Sequence, residues 1–209
     1  MNDTLLIQQP ATAAQRLILL FHGVGANASN LLPLGQAIAQ AHPTAMVLSV
    51  AAAEASDLGR GRQWFSVQGI TEENRLARIA AALPGFVATV RHWQEVAGLT
   101  AEHISLVGFS QGAIMSLAAT QLAEPPAAQI LSIAGRFATP PTLASAVRVH
   151  LLHGTADPVI PVQHSQEAAS ALQQLGVTHS LDLIPGLGHG IDERVLTCVL
   201  QRLAEGAVP

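Results

Sequence analysis

The sequence predicts an α/β fold in which a mostly parallel central sheet carries helices on both faces. Three observations predict it: short apolar runs alternate with longer segments of helical spacing, the runs are almost unbroken in apolar residues, and several end directly on Gly or Pro. A run without in–out alternation suits a strand covered on both faces. Strand–helix alternation leads to parallel pairing, because each helix returns the chain across one face of the sheet. The 209 residues are read as a single domain, 1–209, long enough to bury a core without metal or disulfide staples.

In chain order, residues 4–8 are a candidate edge strand, and residues 17–21, Leu-Ile-Leu-Leu-Phe, are a core strand that runs straight into His22-Gly23-Val24-Gly25. Residues 29–40 have helical spacing, and 45–50 form the next strand. Residues 54–69 are too polar and Gly-rich for a helix, yet carry Trp64 and Phe65. Residues 72–97 have helical spacing; their most apolar part, 79–90, contains Pro84, stops at Arg91 and is too short to span a bilayer, so it reads as a buried core helix. Then come strand 103–107, helix 111–123 and strand 129–133, followed by an irregular stretch, 134–144, with Pro140 and Pro141. Strand 147–152, helix 162–175, strand 179–184 and helix 191–203 complete the chain. Ligands of an open parallel sheet bind beyond the carboxyl ends of its strands. Both irregular stretches leave from such ends and are candidate walls of a site.

Hydrophobic residues make up 49% of the chain and charged residues 11%, against about 25% charged in an average protein, which points to a globular chain and not a disordered one. The net charge is −4; all ten basic residues are Arg, and they are scattered, Arg60 and Arg62 being the densest group. That excludes a nucleic-acid groove and a polybasic membrane patch. The single cysteine, Cys198, excludes an internal disulfide and a cysteine zinc site. Residues 1–10 carry no basic segment followed by an apolar one, so a cytoplasmic location is expected. No metal and no cofactor is expected either: the histidines lack H-E-x-x-H spacing, and neither G-x-G-x-x-G nor a Walker pattern follows Gly23 and Gly25.

The strongest motif is Gly108-Phe109-Ser110-Gln111-Gly112, a G-x-S-x-G sequence between a strand and a helix. In that context the Ser occupies a sharp turn that presents its hydroxyl where helix N–H groups point outward. Without that context, a Ser helix cap between two glycines would explain it equally well. A serine hydroxyl needs a base, and the base needs an orienting carboxylate. Of the acids after Ser110, Asp157 follows a strand through His153-Gly154-Thr155-Ala156 and precedes Pro158, which places it on a turn at a strand's carboxyl end. Asp182 is the rival acid, inside a strand pattern. Of the histidines after Asp157, His189 sits in Pro185-Gly186-Leu187-Gly188-His189-Gly190, where flanking glycines free the backbone to aim the ring. His153 is the rival base, expected to pack under the turn, and His22 is expected to be a structural loop histidine. The N–H groups of Val24 and Gln111 are candidate donors to a tetrahedral oxyanion. Trp64 and Phe65 are candidate acyl-pocket residues, with ordinary packing as the alternative.

In that order, His22-Gly23-Val24-Gly25, Trp64-Phe65, Gly108-Phe109-Ser110-Gln111-Gly112, His153-Gly154-Thr155-Ala156-Asp157 and Gly188-His189 make the chain resemble the phospholipase/carboxylesterase branch of the α/β-hydrolases, from about residue 16 to about 203. The resemblance implies an α/β-hydrolase fold with a minimal lid and a Ser110–His189–Asp157 triad. It also implies oxyanion donors at Val24 and Gln111, and hydrolysis of short- to medium-chain acyl esters through an acyl-enzyme. Acyl-protein thioesterases belong to the same branch, where Asp and Gly usually follow the H-G-x-G loop; here Ala26 and Asn27 follow. Acyl-protein thioesterase or lysophospholipase activity is therefore the alternative, simple carboxylesterase the first reading. A non-catalytic binding module would require a broken triad. The expected partner is a small-molecule ester or thioester, with no nucleic acid and no integral membrane segment; homodimerisation stays open.

Overall fold

Leu17, Ile18, Leu19, Leu20 and Phe21 are all fully buried, so the strand that carries them is covered on both faces. It is β2 (Arg16–Phe21), inside a seven-stranded sheet of the computed structural model, which describes residues 3–205. The other strands are β1 (Leu5–Gln8), β3 (Ala45–Val50), β6 (Ile104–Phe109), β7 (Gln129–Ile133), β8 (Arg148–Gly154) and β9 (His179–Ile184), in the spatial order β1-β3-β2-β6-β7-β8-β9. Only β1, at the edge, pairs antiparallel; β2, β3 and β6 to β9 are parallel throughout. A separate two-stranded ribbon, β4 (Glu54–Ala55) with β5 (Arg62–Gln63), lies within the polar stretch after β3.

Side-chain alternation on the strands divides the core into two layers. Leu17, Leu19 and Phe21 face the layer containing Ile79, Phe86 and Val90 of α2 (Glu72–Ala97), Met115 and Leu117 of α3 (Gln111–Ala119) and Leu172 of α4 (Gln163–Gln174). Ile18 and Leu20 face Leu34 and Ile38 of α1 (Leu32–Ala41) and Val195, Val199 and Leu203 of α5 (Glu193–Glu205). The structure thus has the predicted α/β-hydrolase architecture, and between β7 and β8 the chain forms no helix.

The differences from the sequence reading have local causes. The segment predicted as helix 29–40 begins with a 3-10 turn, Ala28–Leu31, before α1 starts with Pro33 in its first turn. The helix expected over 111–123 stops at Ala119, where the Thr120 hydroxyl takes the Leu117 carbonyl and the chain tightens. Helix α5 starts at Glu193 instead of residue 191, because Asp192 Oδ1 accepts from the Arg194 and Val195 amides and acts as a cap. His103 belongs to a 3-10 turn ahead of β6.

Strand order also places the site. From β2 the chain passes to β3 on one side, then crosses back to β6 on the other side of β2. The loops leaving β2 and β6 therefore diverge at adjacent carboxyl ends, which is where open α/β sheets form a crevice. Phe21 and Gly108 are register partners at that point.

Candidate active site

Ser110 has φ 53° and ψ −115°, a left-handed conformation that a non-glycine residue adopts only when its surroundings impose it. They do so by close packing on both sides. A Cβ on Gly112 would lie 2.2 Å from the Phe21 carbonyl oxygen, and one on Gly108 2.5 Å from the Ala113 nitrogen. The Ser110 amide donates to the Ile133 carbonyl at 2.9 Å, and its carbonyl accepts from the Ile114 amide at 3.0 Å. Strand β6 thus turns into α3 within one residue.

The Ser110 hydroxyl lies 2.9 Å from His189 Nε2, and His189 Nδ1 lies 2.7 Å from Asp157 Oδ2. With Nδ1–H donating to the carboxylate, Nε2 is left to accept the hydroxyl proton. Asp157 Oδ1 accepts from the Val159 and Ile160 amides at 2.8 and 3.0 Å. Burial pushes this carboxyl upward, but the hydrogen bonds from His189, Ile160 and Val159 outweigh it and hold the group below the usual carboxylate range. Neither rival reaches Ser110, although His153 Nε2 lies 3.3 Å from Asp157 Oδ2. His153 is buried under the turn, with Nδ1 2.7 Å from the Ser165 hydroxyl and Nε2–H donating to the Ile160 carbonyl at 2.8 Å. Asp182 faces α5, where it accepts from Arg202 Nη2 at 2.6 Å and Nε at 2.9 Å.

Among the described residues neither the Val24 nor the Gln111 amide donates a hydrogen bond, and both residues border the same cavity as Ser110. The loop bearing Val24 is fixed from several directions. His22 Nδ1–H donates to the Gly23 carbonyl and its Nε2 accepts from the Ala52 amide; burial, with the charge of Arg62, lowers the pKa of this ring and keeps it neutral. Gly25 has φ 77° and donates its amide to the Arg62 carbonyl. Gly61 packs so close to Gly25 that a Cβ there would meet its carbonyl at 2.1 Å. The Gln111 side chain clamps the opposite wall, accepting from the Trp64 amide at 2.8 Å and donating to the Phe65 carbonyl at 2.7 Å.

The cavity beside Ser110 measures about 240 Å³. Phe65, Val67, Ile114, Val159, Ile160 and Pro161 give it apolar walls, and Arg75 and Arg136 also line it. Phe65, a candidate acyl-pocket residue, lines this cavity while also packing into the core. Trp64 does not reach this cavity: its indole N–H donates to the His22 carbonyl at 2.8 Å, and its ring packs edge-on against Phe21 and Phe86, with centroids 5.4 Å from each. The two arginines escaped the sequence reading. Arg136 follows β7 in a stretch already marked as a candidate wall, whereas Arg75, on a helix surface, carries no local signal at all. Among the described residues no cluster of His, Cys, Asp and Glu is arranged to hold a metal ion, and no helix is long and apolar enough to cross a membrane.

Known proteins resemble the chain over nearly its whole length. The phospholipase/carboxylesterase family matches residues 2–205. Esterase YpfH of Escherichia coli strain K12 is 44% identical over 203 residues, covering 97% of this chain and 88% of that protein. The crystal structure of esterase PE8 superposes with a TM-score of 0.85 at 31% identity, over 95% of this chain and 97% of the other. A carboxylesterase of Bacillus cereus shares the fold, with a TM-score of 0.82 at 18% identity over 98% of this chain and 94% of its own. Sequence, fold and the hydroxyl at the strand–helix turn agree: the chain belongs to the phospholipase/carboxylesterase family of α/β-hydrolases and is a carboxylic ester hydrolase.

Proposed function

We propose that the protein hydrolyses short- to medium-chain acyl esters through Ser110, His189 and Asp157 by way of an acyl-enzyme. The observation that carries this reading is the unbroken hydrogen-bond chain from the Ser110 hydroxyl through His189 to Asp157, opening onto a cavity. His189 Nε2 takes the hydroxyl proton as Ser110 Oγ bonds to the ester carbonyl carbon; the Val24 and Gln111 amides receive the oxyanion. Collapse breaks the bond to the alcohol oxygen, which leaves with the proton held by His189. Water then attacks the acyl-enzyme with His189 again as base, releasing the acid and restoring the hydroxyl. Asp157 keeps the imidazole in the tautomer this needs and stabilises the imidazolium. A cavity of about 240 Å³ falls below the roughly 300–1,000 Å³ of sites for larger ligands, which favours small esters over the long chains of an acyl-protein thioesterase or lysophospholipase.

The test combines labelling and kinetics. A fluorophosphonate should modify Ser110 alone, and Ser110→Ala should lose ~10³-fold or more in turnover of a short ester while keeping its circular dichroism and melting temperature. Labelling of another serine, or activity of the alanine variant within about tenfold of wild type, sinks the assignment.

A further inference from the structure

We infer that the cavity beside Ser110 selects an ester whose other end carries a carboxylate, gripped by Arg75 and Arg136; this rests on Ser110 being the nucleophile. A pocket for a purely aliphatic ester has no use for charge, yet two guanidiniums line this one. Both are largely covered, with 19% of the Arg75 and 13% of the Arg136 side chain exposed. Both lean on one acid. Glu72 takes Arg136 Nη1 and Nη2 at 3.1 and 2.9 Å on its two oxygens, and Arg75 Nη2 at 3.0 Å on one of them. Among the described residues no other carboxylate pairs with either arginine. One positive charge is therefore left over, and the compensating Glu72 lies mostly in solvent, where its field is screened.

The surroundings keep that excess. Arg78 donates to the carbonyls of Ser66 and Gly69 and, at 3.4 Å, to the Ser66 hydroxyl, which itself donates to Asp57, so the charges of Arg78 and Asp57 offset each other. The Asp57 carboxylate is taken up by the Ser66 hydroxyl and the Val67 and Gln68 amides. His164, on α4, lies within reach of the same group of charges: burial first, then Arg136, lowers its pKa, while Glu167 and Glu72 oppose the shift. Glu72 also leaves Arg75 incompletely satisfied: among the described residues its buried Nε has no hydrogen-bond partner. An orphaned donor is costly, and this one is closed off from solvent as well, so the side chain must shift before an acceptor in the cavity can reach it. A carboxylate supplies two acceptor oxygens in the plane a guanidinium prefers. The apolar walls of the same cavity suit a short aliphatic spacer. The substrate class is then an ester of a small molecule with a free carboxylate, such as a hemiester of a short dicarboxylic acid.

Two matched pairs test this. Ethyl hydrogen glutarate and ethyl 5-methylhexanoate share shape but differ in charge on the acyl side; 3-acetoxypropanoate and isopentyl acetate do the same on the alcohol side. The ratio of kcat/KM, charged over neutral, is read for the wild type, Arg75→Gln and Arg136→Gln. Because each ratio is taken on one protein, any loss of folded enzyme cancels. The wild type should favour the charged member of at least one pair by about tenfold or more, and each substitution should lower that ratio by about tenfold. Added salt should lower it too. Ratios at or below one in both pairs, or ratios that neither substitution moves, overturn the inference while leaving Ser110 in place if the neutral esters are still cleaved. If no ester is cleaved and Ser110 resists the fluorophosphonate, both readings fall together.

Discussion

At the scale of single residues, the same acid type at two positions does different work. Asp157 points both oxygens at donors that fix it beneath His189, whereas Asp182 is spent on Arg202. Asp157→Asn should therefore cut turnover by ~10⁴-fold, the scale known when a triad acid can no longer hold its histidine in the right tautomer. The melting temperature should change little, because an amide oxygen can still accept from the Val159 and Ile160 amides. Asp182→Asn should show the opposite pattern, a lower melting temperature with turnover per folded molecule retained; a severe loss of turnover there would reassign the acid. Cys198 is a contrasting residue. It packs on the α1/α5 side of the core, and burial raises the pKa of its thiol. A protonated thiol reacts slowly, so N-ethylmaleimide should leave ester hydrolysis intact; rapid inactivation with Cys198 labelled would place the thiol at the site.

Elements are held to the site by contacts that leave no room for a methyl group. A Gly112→Ala side chain would meet the backbone of Phe21 and His22 at 2.2 to 2.8 Å, so α3 or β2 must move. Helix α3 carries the Gln111 amide, and β2 leads into the loop that carries the Val24 amide. The variant should lose about 1–3 kcal/mol in a urea melt, and it should lose turnover beyond what unfolding explains. At the opposite end of the sheet, side chains close the last turn of α5, whose terminal carbonyls have no partners within the helix. Arg16 donates to the Leu203 carbonyl, Gln129 to that of Arg202 and Arg148 to that of Glu205. Gln129→Leu should cost about 1–3 kcal/mol in the same melt, by removing the acceptor its Oε1 offers Arg16 Nη2 and the donor its Nε2 offers the Arg202 carbonyl, with turnover of the folded fraction unchanged. That outcome would separate the sheet's structural end from its chemical end.

Across the whole molecule, stability should depend on pH through His150. The ring is buried between Gln129, which donates to its Nε2 at 3.1 Å, and the Ser180 hydroxyl, 2.8 Å from its Nδ1. Burial, then the charge of Arg202, brings its pKa down to about 4. The folded state therefore resists a proton that the unfolded chain accepts near 6.5. Its contribution, at most roughly 3 kcal/mol, is present in full above the unfolded value and is lost as pH falls from about 6.5 towards 4. Urea midpoints at pH 7.5 and pH 5 should differ, and His150→Gln should shrink the difference; an unchanged difference would move its origin to other histidines.

What the sequence determined by itself was everything carried by short-range pattern. Near-continuous apolar runs marked the inner parallel strands, because a strand covered on both faces cannot alternate, whereas the edge strand β9 alternates and is mostly part-exposed. Helix α2 was legible to the residue, since Thr71 caps its start and Gly98, at φ 67°, ends it. Ser110, Asp157 and His189 could be proposed as a triad from sequence because each sits on a turn just past a strand, and all such turns open on one edge of a parallel sheet. The tertiary structure decided what depends on which face a residue meets. Trp64 and Phe65 are neighbours in sequence and both pack into the same core, but only Phe65 also borders the cavity beside Ser110. His153 and His189 both follow strands, and only the path of the chain buries the first beneath Asp157 while bringing the second against Ser110. Arg75 and Arg136 stand 61 positions apart on a helix and a loop. No local pattern joins them, because their shared Glu72 and shared cavity exist only once α2 has packed beside the end of β7.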